Sequence, residues 1–120
     1  MLNRIRQPFN VNSLAMSGAV AALNDRDFIE QSVQCNADGL VRLRDGLVKM
    51  GVDCCPSAAN FLLADFGRPV DTLYEALLRQ GVIVRPVGNY GLENHLRITV
   101  GNAEQNEKLL HATRQALADN

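Results

Sequence analysis

Leu96-Arg97-Ile98-Thr99-Val100 carries the clearest period in the chain. Successive side chains alternate across a strand, so Leu96, Ile98 and Val100 share one side and Arg97 and Thr99 the other. A strand of this kind belongs to a sheet with an apolar face for helices and a polar face left to explain. Upstream, Gly88-Asn-Tyr-Gly91 reads as a loop, and Val82-Ile-Val84 as a strand halted by Pro86. Asn60-Phe-Leu-Leu-Ala-Asp-Phe66 is a further short, mostly apolar strand, and Gly67-Arg-Pro69 turns the chain after it. Cys54-Cys55-Pro56-Ser57 reads as a loop.

The intervening segments switch to helical spacing. Val70, Leu73, Tyr74, Leu77 and Leu78 form one stripe, with Gly81 at the stop. Asn102 caps a last helix and Gln105 completes a capping box, with Leu109, Leu110, Thr113, Ala116 and Leu117 on its inner face. Ile29, Val33, Ala37, Leu40, Leu47 and Met50 predict one long helix over 25–50, about 36 Å in length, ending at Gly51. Gly39 and Gly46 interrupt it. Before it, Ser13 caps an alanine-rich helix to Leu23, and residues 1–12 read as loop or linker. The predicted fold class is α+β: a small three-stranded sheet with helices packed on one face, preceded by a long connecting helix.

Composition narrows the function classes. The 120 residues are 47% hydrophobic and 21% charged, ordinary for a globular domain able to bury roughly two-thirds of its surface. A net charge of −1 with no basic run gathers neither nucleic acid nor anionic lipid. The three cysteines, Cys35, Cys54 and Cys55, form neither a disulfide framework nor a zinc knuckle and suit a reduced, cytoplasmic protein. With only His95 and His111 as histidines, no metal cluster is expected. Arg4 and Arg6 before the apolar run Leu14–Leu23 imitate a leader, but Pro8, Asn10, Asn12 and Ser13 separate them, and the run is too short to span a bilayer.

Four residues are candidates for binding. Arg97 sits mid-strand between two apolar neighbours, where an unpaired charge is costly to bury. It is either an exposed arginine paired with an internal acid or a rigidly held guanidinium offering two parallel hydrogen bonds to a carboxylate or phosphate. Arg85 closes the neighbouring strand, and two such arginines converging on one site would suit a dianion. Tyr90, in the loop between them, is either a half-buried packing residue or a further donor. Asn60 is either a turn-forming residue or a polar group facing the same pocket as Arg97. No nucleophile elbow, Walker loop, zinc-protease helix or dinucleotide fingerprint is present.

Arg6-Gln-Pro-Phe-Asn-Val-Asn-Ser-Leu-Ala15, Asn60-Phe61, Gly81-Val-Ile-Val-Arg-Pro86, Tyr90-Gly-Leu92 and His95-Leu-Arg-Ile-Thr-Val-Gly101 occur in this order along the chain. Together they resemble the C-terminal, small domain of the fold-type I, pyridoxal-phosphate-dependent aminotransferases of class I and II, and more narrowly the histidinol-phosphate aminotransferase branch. The resemblance implies that Arg97 grips the anionic end of the amino substrate, glutamate or histidinol phosphate, with Arg85 as companion on the phosphate and Asn60 beside them.

The same resemblance implies that the parent enzyme transfers an amino group between glutamate and imidazole-acetol phosphate in histidine biosynthesis. Residues 1–24 would be linker and first helix, packing on a missing large domain, and 25–120 the small domain including the long helix 25–50. The Schiff-base lysine, the aspartate that pairs with the pyridinium and the phosphate cup lie upstream in such enzymes. This chain alone is therefore expected to hold no pyridoxal phosphate, to carry no catalytic residue and to be inactive. With the large domain absent, apolar surface on the first helix predicts a homodimer, a swapped helix or a mobile N-terminus. The rival reading is a non-enzymatic α+β domain that binds an anionic metabolite or mediates self-association.

Overall fold

A computed structural model of the chain describes residues 9–118. Its helices are α1 (Ser13–Asn24), α2 (Arg26–Val48), α3 (Asp71–Arg79) and α4 (Ala103–Ala118). Its strands are β1 (Asp53–Cys54), β2 (Phe61–Asp65), β3 (Arg85–Val87) and β4 (Leu92–Thr99). The strands form one antiparallel sheet in the order β1-β2-β4-β3. The chain divides into two compact units, Met1–Val33 and Gln34–Asn120. The boundary expected at 24/25 is where α1 gives way to α2, whereas the division into units falls inside α2. The linker expected over 1–12 lies, up to residue 8, outside the described residues.

In the first unit every described residue is exposed, and α1 buries none of its twelve residues. Asn12, not Ser13, caps α1: its side-chain oxygen accepts from the Ala15 N–H at 2.8 Å. Ser13 is already the first helical residue, one position too late to reach the free amides of the first turn. Asp25 caps α2 in the same way, accepting from the Phe28 N–H.

The second unit holds the core. Leu43 and Leu47 from α2, Leu73 and Leu77 from α3, and Leu109, Leu110, Ala112 and Ala116 from α4 close over Leu62, Ala64, Leu96 and Ile98 of the sheet. Helices therefore cover the face that the Leu96/Ile98 alternation marks as apolar. Gly39 and Gly46 mark close approach: a Cβ at Gly46 would stand 2.6 Å from Leu110, and one at Gly39 would strike Val100. Gly51 (φ 81°) and Gly81 (φ 70°) end α2 and α3 in the left-handed region, where only glycine is unstrained. The Asn102–Gln105 capping box forms reciprocally, at 3.0 and 2.9 Å.

The sheet has four strands, not three. The extra one, Asp53–Cys54, pairs Asp53 with Asp65 and Cys54 with Ala64, and two residues are too few to show a period. The strand read at Val82–Val84 is displaced to Arg85–Val87 and includes Pro86. Pro86 is tolerated because β3 is an edge strand, where one side of the backbone needs no donor. Val82 and Val84 are buried by packing, without joining the ladder. The strand read at 96–100 begins earlier, at Leu92.

Candidate functional site

The uncovered face of the sheet is built by alternation. Leu62, Ala64, Leu96 and Ile98 point into the core, so Phe61, Leu63, Asp65, His95, Arg97 and Thr99 point the other way. On β3, Arg85 stands directly opposite Arg97, and directly paired residues of antiparallel strands share a face. The two guanidinium groups thus leave the sheet side by side. Like charges placed directly opposite each other are destabilising, and nothing in the described residues relieves this pair. Among the described residues the ion pairs engage Arg42, Arg44, Arg79 and His95, not Arg85 or Arg97.

Arg97 is half-buried and Arg85 exposed. The Arg97 guanidinium carbon lies 5.2 Å above the centre of the Phe61 ring, a cation–π contact that fixes the side chain without neutralising it. The Arg97 Nε is buried and has no hydrogen-bond acceptor. An orphaned buried donor costs about 1–3 kcal/mol, more when charged. Two unneutralised cations, one with an unmet donor, form a surface that an anion would stabilise.

The other two candidates stand apart from this pair. Asn60 precedes β2, is exposed, and accepts from the Val100 N–H through its backbone oxygen at 2.9 Å. Val100 is three residues beyond Arg97, so Asn60 sits about 10 Å away along the ribbon. Tyr90 lies in the 3₁₀ turn Gly88–Tyr90 between β3 and β4 and is 68% exposed, so it is not a packing residue here. The structure joins Arg85 to Arg97 and leaves Asn60 and Tyr90 at the periphery.

Two neighbours went unread in the sequence as part of this site. Phe61 supplies the ring under Arg97, and His95 lies two residues before Arg97 on the same face. The signal for His95 was present in the period-2 spacing His95-Leu96-Arg97. Phe61 gives no such signal, because its contact depends on the cross-strand register. His95 Nε2 lies 3.6 Å from Asp65 Oδ2, an ion pair when the imidazole is protonated.

On the helical side, Cys35, Asp38, Gly39, Arg42, Gly101 and Asn106 help to line a hollow of about 300 Å³. It is a poor rival for an anion, since Arg42 donates twice to the Glu107 carboxylate, from Nη2 at 2.7 Å. That pairing holds the Glu107 carboxyl below its usual range. Burial, with Asp53 and Cys55 adding to it, pushes the Cys54 thiol up to about 11, so it is not a ready nucleophile. Among the described residues no group of three or more His, Cys, Asp or Glu could hold a metal ion, and no helix is long and apolar enough to cross a membrane.

Comparison with known proteins gives a consistent result. The family model described as aminotransferase class I and II matches residues 1–112. A histidinol-phosphate aminotransferase 2 of Pseudomonas fluorescens is 48% identical over 118 residues, 98% of this chain and 32% of that protein. One from Methylococcus capsulatus is 55% identical over 105 residues, 88% of this chain and 28% of that protein. Among solved structures, the histidinol-phosphate aminotransferase of Clostridium acetobutylicum superposes with a TM-score of 0.83 at 25% identity, covering 99% of this chain and 37% of that one. That of Sinorhizobium meliloti, in complex with pyridoxal-5'-phosphate, has a TM-score of 0.84 at 23% identity, covering 98% and 33%, and speaks for the fold alone. The chain spans about a third of the length of the relatives it matches.

Proposed function

The chain belongs to the class I and II aminotransferases, and from that premise we propose that it is the small domain of a histidinol-phosphate aminotransferase and supplies that enzyme's grip on the anionic end of its substrates. The observation that carries this reading is the directly opposed, unneutralised pair Arg85 and Arg97 on the uncovered sheet face. Arg97 offers a fork of donors to one oxygen edge of a carboxylate or phosphate, and Arg85 takes a second edge. The arrangement suits a dianion better than a monoanion, because two adjacent cations call for two negative charges. Asn60, about 10 Å from Arg97 along the ribbon, and Tyr90, exposed in the turn between β3 and β4, would meet only the remainder of the ligand.

The reaction of the whole enzyme is then amino transfer between glutamate and imidazole-acetol phosphate. Pyridoxal phosphate supplies the electron sink for such chemistry when bound. The residues of this chain do not fit that group. Its two lysines are Lys49 and Lys108. Lys108 Nζ donates to the Gly81 carbonyl from α4, on the helical side of the sheet, and Lys49 follows the end of α2. Neither stands on the arginine face, so this chain by itself holds no pyridoxal phosphate and does not transaminate.

Residues 1–24 are the segment that packs on the enzyme's large domain, and 25–120 are the small domain proper. Chains lacking that cover pair as homodimers through the apolar surface of α1. The compartment we assign is the cytoplasm.

The test is titration with histidinol phosphate, in this chain and in a full-length enzyme carrying the same domain. Arg97→Ala removes a charge-assisted contact and should weaken binding by about 1.5–3 kcal/mol, roughly 10- to 150-fold. Glutamate affinity should fall with it. Unchanged affinity for both ligands would remove the basis of the assignment.

A further inference from the structure

We propose that Phe61 is a positioning residue: its ring holds the Arg97 guanidinium in place before a ligand arrives, so that Arg97 meets its anion end-on, through its two Nη groups, with Nε turned inward. This rests on the reading of Arg85 and Arg97 as an anion grip.

The donors of Arg97 are not equally available. The guanidinium carbon stands 5.2 Å from the centre of the Phe61 ring, so one side of the cation is taken up by the aromatic face. Nε is buried with no acceptor and so cannot be one prong of a side-on fork. The Nη groups differ. Neither is among the buried unpartnered atoms, and neither enters a hydrogen bond or ion pair among the described residues. A guanidinium can give two parallel hydrogen bonds to a carboxylate or phosphate, and here the Nη pair is what remains to give them.

The ring is itself held. Phe61 pairs with Thr99 and Leu63 with Arg97, which makes Phe61 and Arg97 diagonal neighbours on one face. Diagonal positions are within reach of aromatic and long side chains. The backbone leading to the ring is pinned from two directions. The Ser57 hydroxyl donates to the Phe61 carbonyl and accepts from the Ala59 N–H at 3.1 Å. Asn36 Nδ2, from α2, donates to the Ala59 carbonyl at 3.2 Å, and the Val100 N–H donates to the Asn60 carbonyl at 2.9 Å. A ligand that binds a freely rotating arginine must also order it, which weakens affinity by roughly 2- to 12-fold. Phe61 removes that penalty by ordering Arg97 when the chain folds.

The test is a sulfate titration of the 120-residue chain at fixed pH and ionic strength, read from the Arg85 and Arg97 amide resonances and the Arg97 Nε–H resonance. In the natural chain the Nε–H should be displaced by the ring current, exchange slowly with water, and still exchange slowly at saturating sulfate. Phe61→Leu keeps an apolar side chain but no ring. It should abolish the displacement and weaken sulfate by roughly 2- to 12-fold. Phe61→Tyr should keep both properties, a rescue that apolar packing alone would not require. If the leucine variant loses the natural Leu96 and Ile98 amide resonances, Phe61→Met takes its place. Natural affinity in the ringless variant, a tyrosine variant as weak as the leucine one, or an Nε–H in fast exchange overturns the role of Phe61. If Arg97→Ala still abolishes sulfate binding in that case, the arginine grip stands. Sulfate binding indifferent to Arg97→Ala, or absent throughout, overturns both.

Discussion

Helices α1 and α4 are both rich in alanine and leucine, yet they meet opposite fates. α4 buries Leu109, Leu110, Ala112, Thr113 and Ala116 together with Asn106. α1 buries nothing, and leaves Leu14 84% and Leu23 73% exposed. It has no acidic residue in its first turn and no basic residue in its last. Apolar composition therefore does not make a core; a facing partner does. α1 leaves its apolar side chains in the open. The two sheet faces repeat the lesson. On the covered side, buried Asn106 both donates to and accepts from Gly101 at 2.9 Å. On the open side, Arg97 Nε has no acceptor among the described residues.

The sharpest way to break the helix comparison is a matched truncation. Leu110→Ala in α4 opens a cavity in the core and should cost about 2–5 kcal/mol in urea unfolding. Leu14→Ala in α1 should cost less than about 0.5 kcal/mol, because no buried contact is lost. Comparable losses at both positions would mean that α1 is covered after all. Amide exchange offers a second view, with α4 protected and α1 exchanging near the rate of free peptide.

The comparison of sheet faces is sharpened by Arg97→Ala. Removing one of two opposed cations and an unmet donor should leave stability unchanged or raise it by up to about 1 kcal/mol, even as anion binding is lost. A clear drop in stability would identify Arg97 as a structural residue. Thiol labelling at pH 8 probes the same divide. Cys35 and Cys55 are exposed and should react quickly, whereas Cys54, pushed up to about 11 by burial, should lag well behind. The smallest effect is expected at Glu107→Gln. Arg42 lowers the Glu107 carboxyl in the folded chain, so its stabilising contribution is present above the unfolded carboxyl range. That contribution fades as pH falls through the folded value. The variant should show a slightly flatter acid limb, and only at low salt, as befits an exposed pair.

Much of this architecture was legible in advance because its signals are local. Asn102 and Gln105 announce their capping box three residues apart, and Gly51 and Gly81 announce helix ends. Leu96-Arg97-Ile98 announces a strand and its two faces. What escaped was short or relational. The Asp53–Cys54 strand has no period, and Pro86 disguises the edge strand that contains it. Ser13 and Asn12 are both competent caps, and only the backbone path chooses between them. Arg97 and Arg85 were legible as candidates, but Asn60 and Tyr90 were indistinguishable from them in kind, since polarity alone carries no position.

The alternation of side chains, a property of any extended backbone, determined from the sequence alone that Arg97 would face away from Leu96 and Ile98. Tertiary structure alone decided what Arg97 would meet there. The register of β3 and β2 on β4 set Arg85 opposite it, Phe61 beneath it and Asp65 across from His95. Register is a long-range choice, made by the packing of the buried face, and a shift of one residue would have turned every one of those partners to the other side.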